Sequence, residues 1–385
     1  MISATRTTRP LALLLVLVGL SAPAESLAWS RATPDSPWIG EVRFAAARQV
    51  GALSQEFGDH PFVLRNAPVN YRWLGSVDGH SWRELRGSRV QRNPRIHRIQ
   101  RLPRTLRLMG LRLEVETCNG PAPVVRRLEI FGDPNSAIPA EPWIAVVNST
   151  HDPSLPGHGQ EFIPLARSCA GWENLGAQQV WVRDFGPEFL ESEPRPLAVF
   201  FSGSFKDWCE VDRRHWVGTE KVLKRRPPPT WASCGGAQAL AILADTGTRK
   251  PWDCPHCRDP RHPKLSIYGH IGHDHTDGLK CGDYSACQFE RGPHRIRQLG
   301  NDPVFAGLPE VFESMESHCG QIEYPPKGWR LVATAGPGTR TVHQCLRYGD
   351  HPVYAAQFHI EMTGTPETSR AIMANFLRLA QAAAP

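Results

Sequence analysis

Cys234 stands in the segment Pro229-Thr-Trp-Ala-Ser-Cys-Gly-Gly-Ala-Gln238, followed by the helix-forming run Ala239–Leu243. Small residues two positions to either side, Ala232 and Gly236, permit the sharp strand-to-helix turn of a nucleophile elbow. Such a turn sets a thiol at the foot of a helix, where the backbone dipole favours thiolate. Taken alone, the segment equally fits a buried structural cysteine before a glycine turn. A second segment changes that balance. Val353–Glu361 is an apolar strand ending in Gln357-Phe358-His359-Ile360-Glu361. On an extended chain His359 and Glu361 share a face. Glu361 can then orient the imidazole, while His359 takes the thiol proton and later gives it to a leaving group.

A different chemistry is spelled by the cysteine-rich insertion at residues 250–295. It holds Cys254-Pro-His-Cys257 and then Cys281 and Cys287, with His270, His273 and His275 between. Two such pairs suit a structural zinc site. Five residues rather than two separate the second pair, and exported chains make disulfides from similar clusters. Zinc on Cys254, Cys257, Cys281 and Cys287 and a pair of disulfides both remain open. The Cys-His-Glu chemistry itself requires no cofactor.

The elements that must position these residues fall into two blocks. From residue 140 to 385, strand and helix patterns alternate: Trp143–Val147 and Ala198–Phe201 read as strands, Glu161–Ala170 and Val211–Leu223 as helices. This predicts an α/β domain with a mostly parallel sheet flanked by helices, its site at the carboxyl ends of the strands. Residues 35–135 carry short strands and close turns, which predicts an all-β sandwich. Arg83, Arg86, Arg89, Arg92, Arg95, Arg98, Arg101 and Arg104 recur every third residue, which reads as a solvated basic stretch.

Residues 1–28 have the form of an export signal: Arg6 and Arg9, the apolar run Leu11–Leu20, then small residues with cleavage points after Ala24 or Ala28. That run is shorter than the roughly 20 residues of a membrane span, and none longer follows. The expectation is an exported protein, periplasmic or secreted, with no transmembrane segment after cleavage. A formal charge of +6 over 385 residues gives no argument for nucleic acid.

Ser-Cys-Gly-Gly-Ala-Gln and Gln-Phe-His-Ile-Glu resemble the elbow and the histidine motif of class I glutamine amidotransferases, whose domain is flavodoxin-like. Phe200–Phe205 resembles the family's oxyanion glycine loop, and Asp302–Pro309 with Glu316-Ser317-His318 its glutamine-reaching segment. The resemblance implies Cys234 as nucleophile, His359 as base and acid, and Glu361 as orienter. It implies an oxyanion hole from the backbone of Gly235 with Gly203 or Ser204, and a substrate pocket lined by Gln238, Ser317 and His318. Ala232 replaces the usual glycine and Ile360 the usual proline. No synthetase motif accompanies the domain. The implied reaction is therefore hydrolysis of glutamine or of another small-molecule amide or γ-glutamyl bond.

The turn Ser76-Val-Asp-Gly-His-Ser-Trp82 resembles that of discoidin-type, galactose-binding-like domains, which implies a glycan as a ligand of the N-terminal part. Two further readings compete with the amidase: a catalytically silent glycan- or envelope-binding protein on the same fold, and a cysteine hydrolase of γ-glutamyl peptides.

Overall fold

The computed structural model describes residues 25–150, 159–204, 206, 208, 211–245, 267–271 and 287–384. The N-terminal part is all-β: β1 (Ala28–Ser30), β2 (Trp38–Phe57), β3 (Pro68–Ser76), β4 (Arg83–Glu84), β5 (His97–Cys118) and β6 (Val125–Phe131). They form one antiparallel sheet, ordered β1-β2-β5-β3-β4, with β6 on the far part of β2. The sequence predicts a sandwich; the hydrogen bonding instead joins every strand into one sheet. Long β2 and β5 shift register between Arg43 and Arg48 and between Val50 and Ala52. Such bulges bend a strand, and the sheet's buried side chains form one core. Phe57, from one end of β2, meets Tyr71 of β3 at 5.2 Å between ring centroids, and the Trp73 indole donates to Gln55 at 2.9 Å.

The C-terminal part holds a nine-stranded sheet. Its strands are β7 (Trp143–Asn148), β8 (Gly176–Trp181), β9 (Ala198–Phe201), β10 (Thr230–Ser233), β12 (Glu290–Gln298), β13 (Val311–His318), β15 (Trp329–Ala335), β16 (Cys345–Tyr348) and β17 (Val353–Ala356). Their order is β13-β12-β15-β16-β17-β10-β9-β7-β8. From β17 to β8 every pairing is parallel; from β17 to β13 every pairing is antiparallel. The expected parallel sheet is thus present with an antiparallel wing of four strands that periodicity did not reveal. Two short strands, β11 (Tyr268–His270) and β14 (Gly320–Ile322), pair separately.

Alternation along the parallel strands sends side chains into two cores, as strand geometry requires. Ile144, Val146, Phe200, Trp231 and Tyr354 face one side. There they meet α1 (Phe162–Arg167) and α5 (Pro366–Ala383) through Phe162, Ile372 and Phe376. Ala145, Val147, Val199, Ala232 and Val353 face the other. That side is covered by α2 (Pro187–Glu191), α3 (Val217–Lys224) and α4 (Gly235–Ala244). No helix among the described residues is long and apolar enough to cross a membrane.

The two parts meet on Arg95. The basic stretch was expected to be solvated throughout, yet Arg95 is 0% exposed. Its guanidinium donates to the carbonyls of Phe189 (2.7 Å), Ser192 (3.0 Å) and Pro194 (2.5 Å), and lies 4.5 Å from the Trp143 ring centroid. Gln178 of β8 completes the junction, accepting from the Ile96 N–H at 3.0 Å and donating to the Pro94 carbonyl at 2.6 Å. Three oriented carbonyls and an aromatic face replace the water that a buried cation loses.

Candidate active site

Three adjacent parallel strands, β9, β10 and β17, deliver the site at their carboxyl ends. β10 runs directly into Cys234, and α4 begins at the next residue. Cys234 has φ 49° and ψ −114°, a backbone conformation that glycine adopts easily and other residues rarely. Its N–H is fixed by the Ala356 carbonyl of β17 at 2.8 Å, and its carbonyl accepts from the Gln238 N–H at 3.0 Å. The elbow is thereby tied at both ends.

The glycines after it are set by contact. A Cβ on Gly235 would lie 2.4 Å from the backbone nitrogen of Ser204, and one on Gly236 would lie 2.7 Å from the Ser202 carbonyl oxygen. Only residues without a side chain let the helix start approach the loop after β9 so closely. That loop is itself anchored: the Ser202 N–H donates to Val147 at 3.1 Å, and its hydroxyl accepts from the Ser149 N–H at 3.0 Å. The backbones of Gly203, Ser204 and Gly235 are thus gathered at the nucleophile.

Gly203 also neighbours both Cys234 and His359. A Cβ there would be 3.3 Å from His359 Cε1 and 3.8 Å from Cys234 Cβ. His359 is buried, and its Nδ1 meets Glu361 Oε1 at 2.6 Å. Burial opposes the imidazolium, but Glu361 and then Cys234 outweigh it, and the pKa of His359 is raised well above the ordinary value. Its Nε2 is buried and has no hydrogen-bond partner among the described residues.

β17 ends at Ala356, earlier than the strand expected to run to Glu361. His359 is held instead by an isolated bridge to β13, its N–H donating to the Met315 carbonyl at 2.8 Å. Glu361 has a second partner that the sequence did not single out. The hydroxyl of Ser233, which directly precedes Cys234, donates to Glu361 Oε2 at 2.9 Å, and the Trp231 indole donates to the same hydroxyl at 3.1 Å.

The predicted pocket residues take distinct positions. Ser317 is exposed, and its carbonyl lies 3.9 Å from the Cys234 sulfur. The Gln238 amide is occupied within the protein, donating to the carbonyl of Gly320 (2.9 Å) and to Gln357 (3.2 Å) and accepting from Trp208 (2.9 Å). His318 is buried between acceptors. Its Nδ1 meets the Gly320 carbonyl at 2.9 Å; its Nε2 lies 2.8 Å from Glu316 and 3.5 Å from Glu290. Its Nε2 thus stands between two carboxylates, which favour the charged imidazolium. Burial works against that charge, but Glu316, Cys234 and Glu290 raise the pKa of His318 above its ordinary value. Glu290 was missed as a site residue because it comes from β12 and meets His318 only through the pairing Glu290↔His318; Glu316, part of the segment read from the sequence, lies two residues before His318 on β13 itself.

Asp302, in the other segment of the resemblance, bonds to β15, β16 and β17. It caps the turn at Pro303–Phe305 and accepts from Tyr354 (2.9 Å), Arg347 (3.0 Å) and Arg330 (3.2 Å). Of the cysteine set predicted for zinc, Cys254, Cys257 and Cys281 lie outside the described residues. Cys287 is described, and with His270 and Cys319 it places one ligand atom each within 4.8 Å of the others.

No family model matches the chain. A glutamine-hydrolyzing GMP synthase of Thermosipho africanus is 31% identical over 84 residues, 22% of this chain and 16% of that protein. A second glutamine-hydrolyzing GMP synthase, from Thermosipho melanesiensis, is 32% identical over 84 residues, 22% of this chain and 16% of that protein. Anthranilate synthase component 2 of Methanothermobacter marburgensis is 36% identical over 78 residues, 20% of this chain and 38% of that one. The chain therefore spans less than two-thirds of the length of each of these relatives. A solved glutamine amidotransferase from Thermotoga maritima superposes with a TM-score of 0.40 at 13% identity, over 63% of this chain and 99% of that one. The sequence likeness supports a class I glutamine amidotransferase-like fold.

Proposed function

We propose that this chain is a cysteine-nucleophile amidase that hydrolyses glutamine or a γ-glutamyl amide through Cys234, His359 and Glu361. The observation that carries the reading is Gly203, to which both Cys234 and His359 are neighbours, with Glu361 on the far nitrogen of His359 at 2.6 Å. In this reading the Cys234 sulfur attacks the amide carbonyl, and the N–H groups of Gly235 and Gly203 or Ser204 receive the oxyanion. His359, protonated beside Glu361, gives its proton to the departing nitrogen, and ammonia leaves behind a thioester. Water then attacks the thioester with His359 as base. The acid product departs and the thiol is restored.

Ser317 and His318 stand beside the sulfur as the wall that would hold the glutamine-like side of the substrate. Gln238 supports that wall through the Gly320 carbonyl. The proposal includes export. Of the two cleavage points, Ala24 is the one that keeps Glu25 and Ala28, which bond to Leu128 and pair with Glu41 in the folded sheet. A glycan as ligand of the N-terminal β part belongs to the same proposal and rests on the resemblance of its turn alone.

The test is ammonia release from glutamine and from γ-glutamyl peptides by the full chain. The wild type should turn over at least one of them, and Cys234→Ser should release none while keeping its circular dichroism spectrum. Ammonia release by Cys234→Ser equal to wild type would overturn the reading, and silence of a folded wild type on every substrate would favour a binding protein.

A further inference from the structure

Beside the nucleophile pocket lies a cluster that amide hydrolysis does not use. His270 ends β11, Cys319 stands between β13 and β14, and Cys287 precedes β12. One ligand atom from each lies within 4.8 Å of the other two. His270 is 5% exposed and Cys319 8%. Three separate stretches of chain converge there, and backbone bonds fix each to the next. His270 pairs with Gly320 across β11 and β14, the Ile271 N–H donates to the Cys319 carbonyl at 2.8 Å, and the Gln288 N–H donates to the Ile271 carbonyl at 2.9 Å. The imidazole is also steered from outside: its Nε2 lies 3.1 Å from the Tyr268 hydroxyl.

We propose that His270, Cys287 and Cys319 bind a zinc ion that clamps the wall of the active site. Two thiolates and one neutral imidazole are ligands of the softness zinc prefers, and their two negative charges cancel its own. In a tetrahedral site with metal–sulfur bonds of about 2.3 Å and metal–nitrogen bonds of about 2.0 Å, ligand atoms lie ~3.5 to 4 Å apart. Ligand atoms within 4.8 Å of one another already stand near that spacing. The Tyr268 hydroxyl at the ring edge is the kind of outer partner that orients a ligating histidine. The fourth position is left to solvent or to another donor.

The position gives the ion its consequence. Cys319 directly follows His318, and the Gly320 carbonyl accepts from both His318 and Gln238. Ser317, two residues before Cys319, faces the Cys234 sulfur. A metal on Cys319 therefore fixes the strand end that carries the pocket wall. This set shares only Cys287 with the four cysteines that sequence spacing suggests, so the two assignments make different predictions.

The experiment is metal analysis of the full chain purified without chelator, with cobalt substitution as a second readout. Wild-type protein should hold about one zinc equivalent and give a tetrahedral cobalt spectrum with thiolate charge-transfer bands. His270→Ala, Cys287→Ser and Cys319→Ser should each lose the metal, and Cys287→His, which restores a ligand, should keep it. Should Cys319→Ser misfold, His270→Ala decides, because Cys287 belongs to both ligand sets. Zinc retained at wild-type level in folded Cys319→Ser or His270→Ala overturns the proposal. So does metal-free protein in which a non-reduced peptide joins Cys287 to Cys319.

Discussion

The hydroxyl of Ser233 donates to the carboxylate of Glu361 across 2.9 Å, linking the residue before Cys234 to the partner of His359. The strand that leads into Cys234 thus holds the far end of the proposed triad. Ser233→Ala removes the hydrogen bond to Glu361 and leaves the Trp231 indole without its acceptor. We expect kcat to fall about 3- to 10-fold, the equivalent of one bond of about 1 kcal/mol, with KM nearly unchanged. Steady-state kinetics of the variant check this. A fall confined to KM would show that the bond does not act through Glu361.

The raised pKa of His359 has a signed consequence for pH. Burial lowers it, Glu361 and Cys234 raise it, and the net direction is upward. An imidazolium whose folded pKa exceeds the unfolded value stabilises fully below about pH 6.5, and that contribution fades as pH rises through the folded value. Glu361→Gln removes the first of the raising causes. The alkaline limb of kcat/KM should therefore move to lower pH in this variant. Its melting temperature should also fall less than that of the wild type between neutral and alkaline pH. Both are read from pH profiles of activity and of thermal unfolding.

Gly235→Ala places a methyl group 2.4 Å from the Ser204 nitrogen. Neither backbone can yield without opening the gap between the α4 start and the loop after β9. The expected losses are roughly 1–3 kcal/mol of stability from overpacking and about 100-fold in kcat from a displaced oxyanion donor. Gly235→Ala with wild-type kcat would exclude these backbones as the oxyanion site.

Arg95→Met should destabilise by at least about 3 kcal/mol, because three carbonyls lose a charged donor inside the junction. Urea unfolding gives the number. A second transition appearing in the variant would show the β part and the α/β part separating before either unfolds.

Much of this site is local in sequence. Ala198–Phe201 and Thr230–Ser233 were legible as strands because their residues are apolar or fit buried pairing on both faces, and the elbow was legible because its small residues sit where contact forbids larger ones. His359 and Glu361 were legible as a pair, but the strand meant to carry them stops at Ala356, since Met315 rather than a neighbouring parallel strand takes up the His359 N–H. The antiparallel wing was not legible: Gly292 and Pro293 interrupt β12, and its pairing with β13 puts Glu290 beside His318, a cross-strand relation without local period. Arg95 failed for the same reason. Its acceptors lie at Phe189, Ser192 and Pro194, far along the chain, and a repeating basic pattern reports only the segment itself.

Cys234 occupies a backbone conformation that suits glycine, at a cost of order 1–3 kcal/mol for a residue with a side chain. Cys234→Gly should then fold to a more stable protein than the wild type, offset by whatever packing the sulfur contributes. The native residue is a compromise in which folding energy is forgone to hold a sulfur atom in place, and a screen for thermostability alone would select against the very side chain on which the proposed reaction depends.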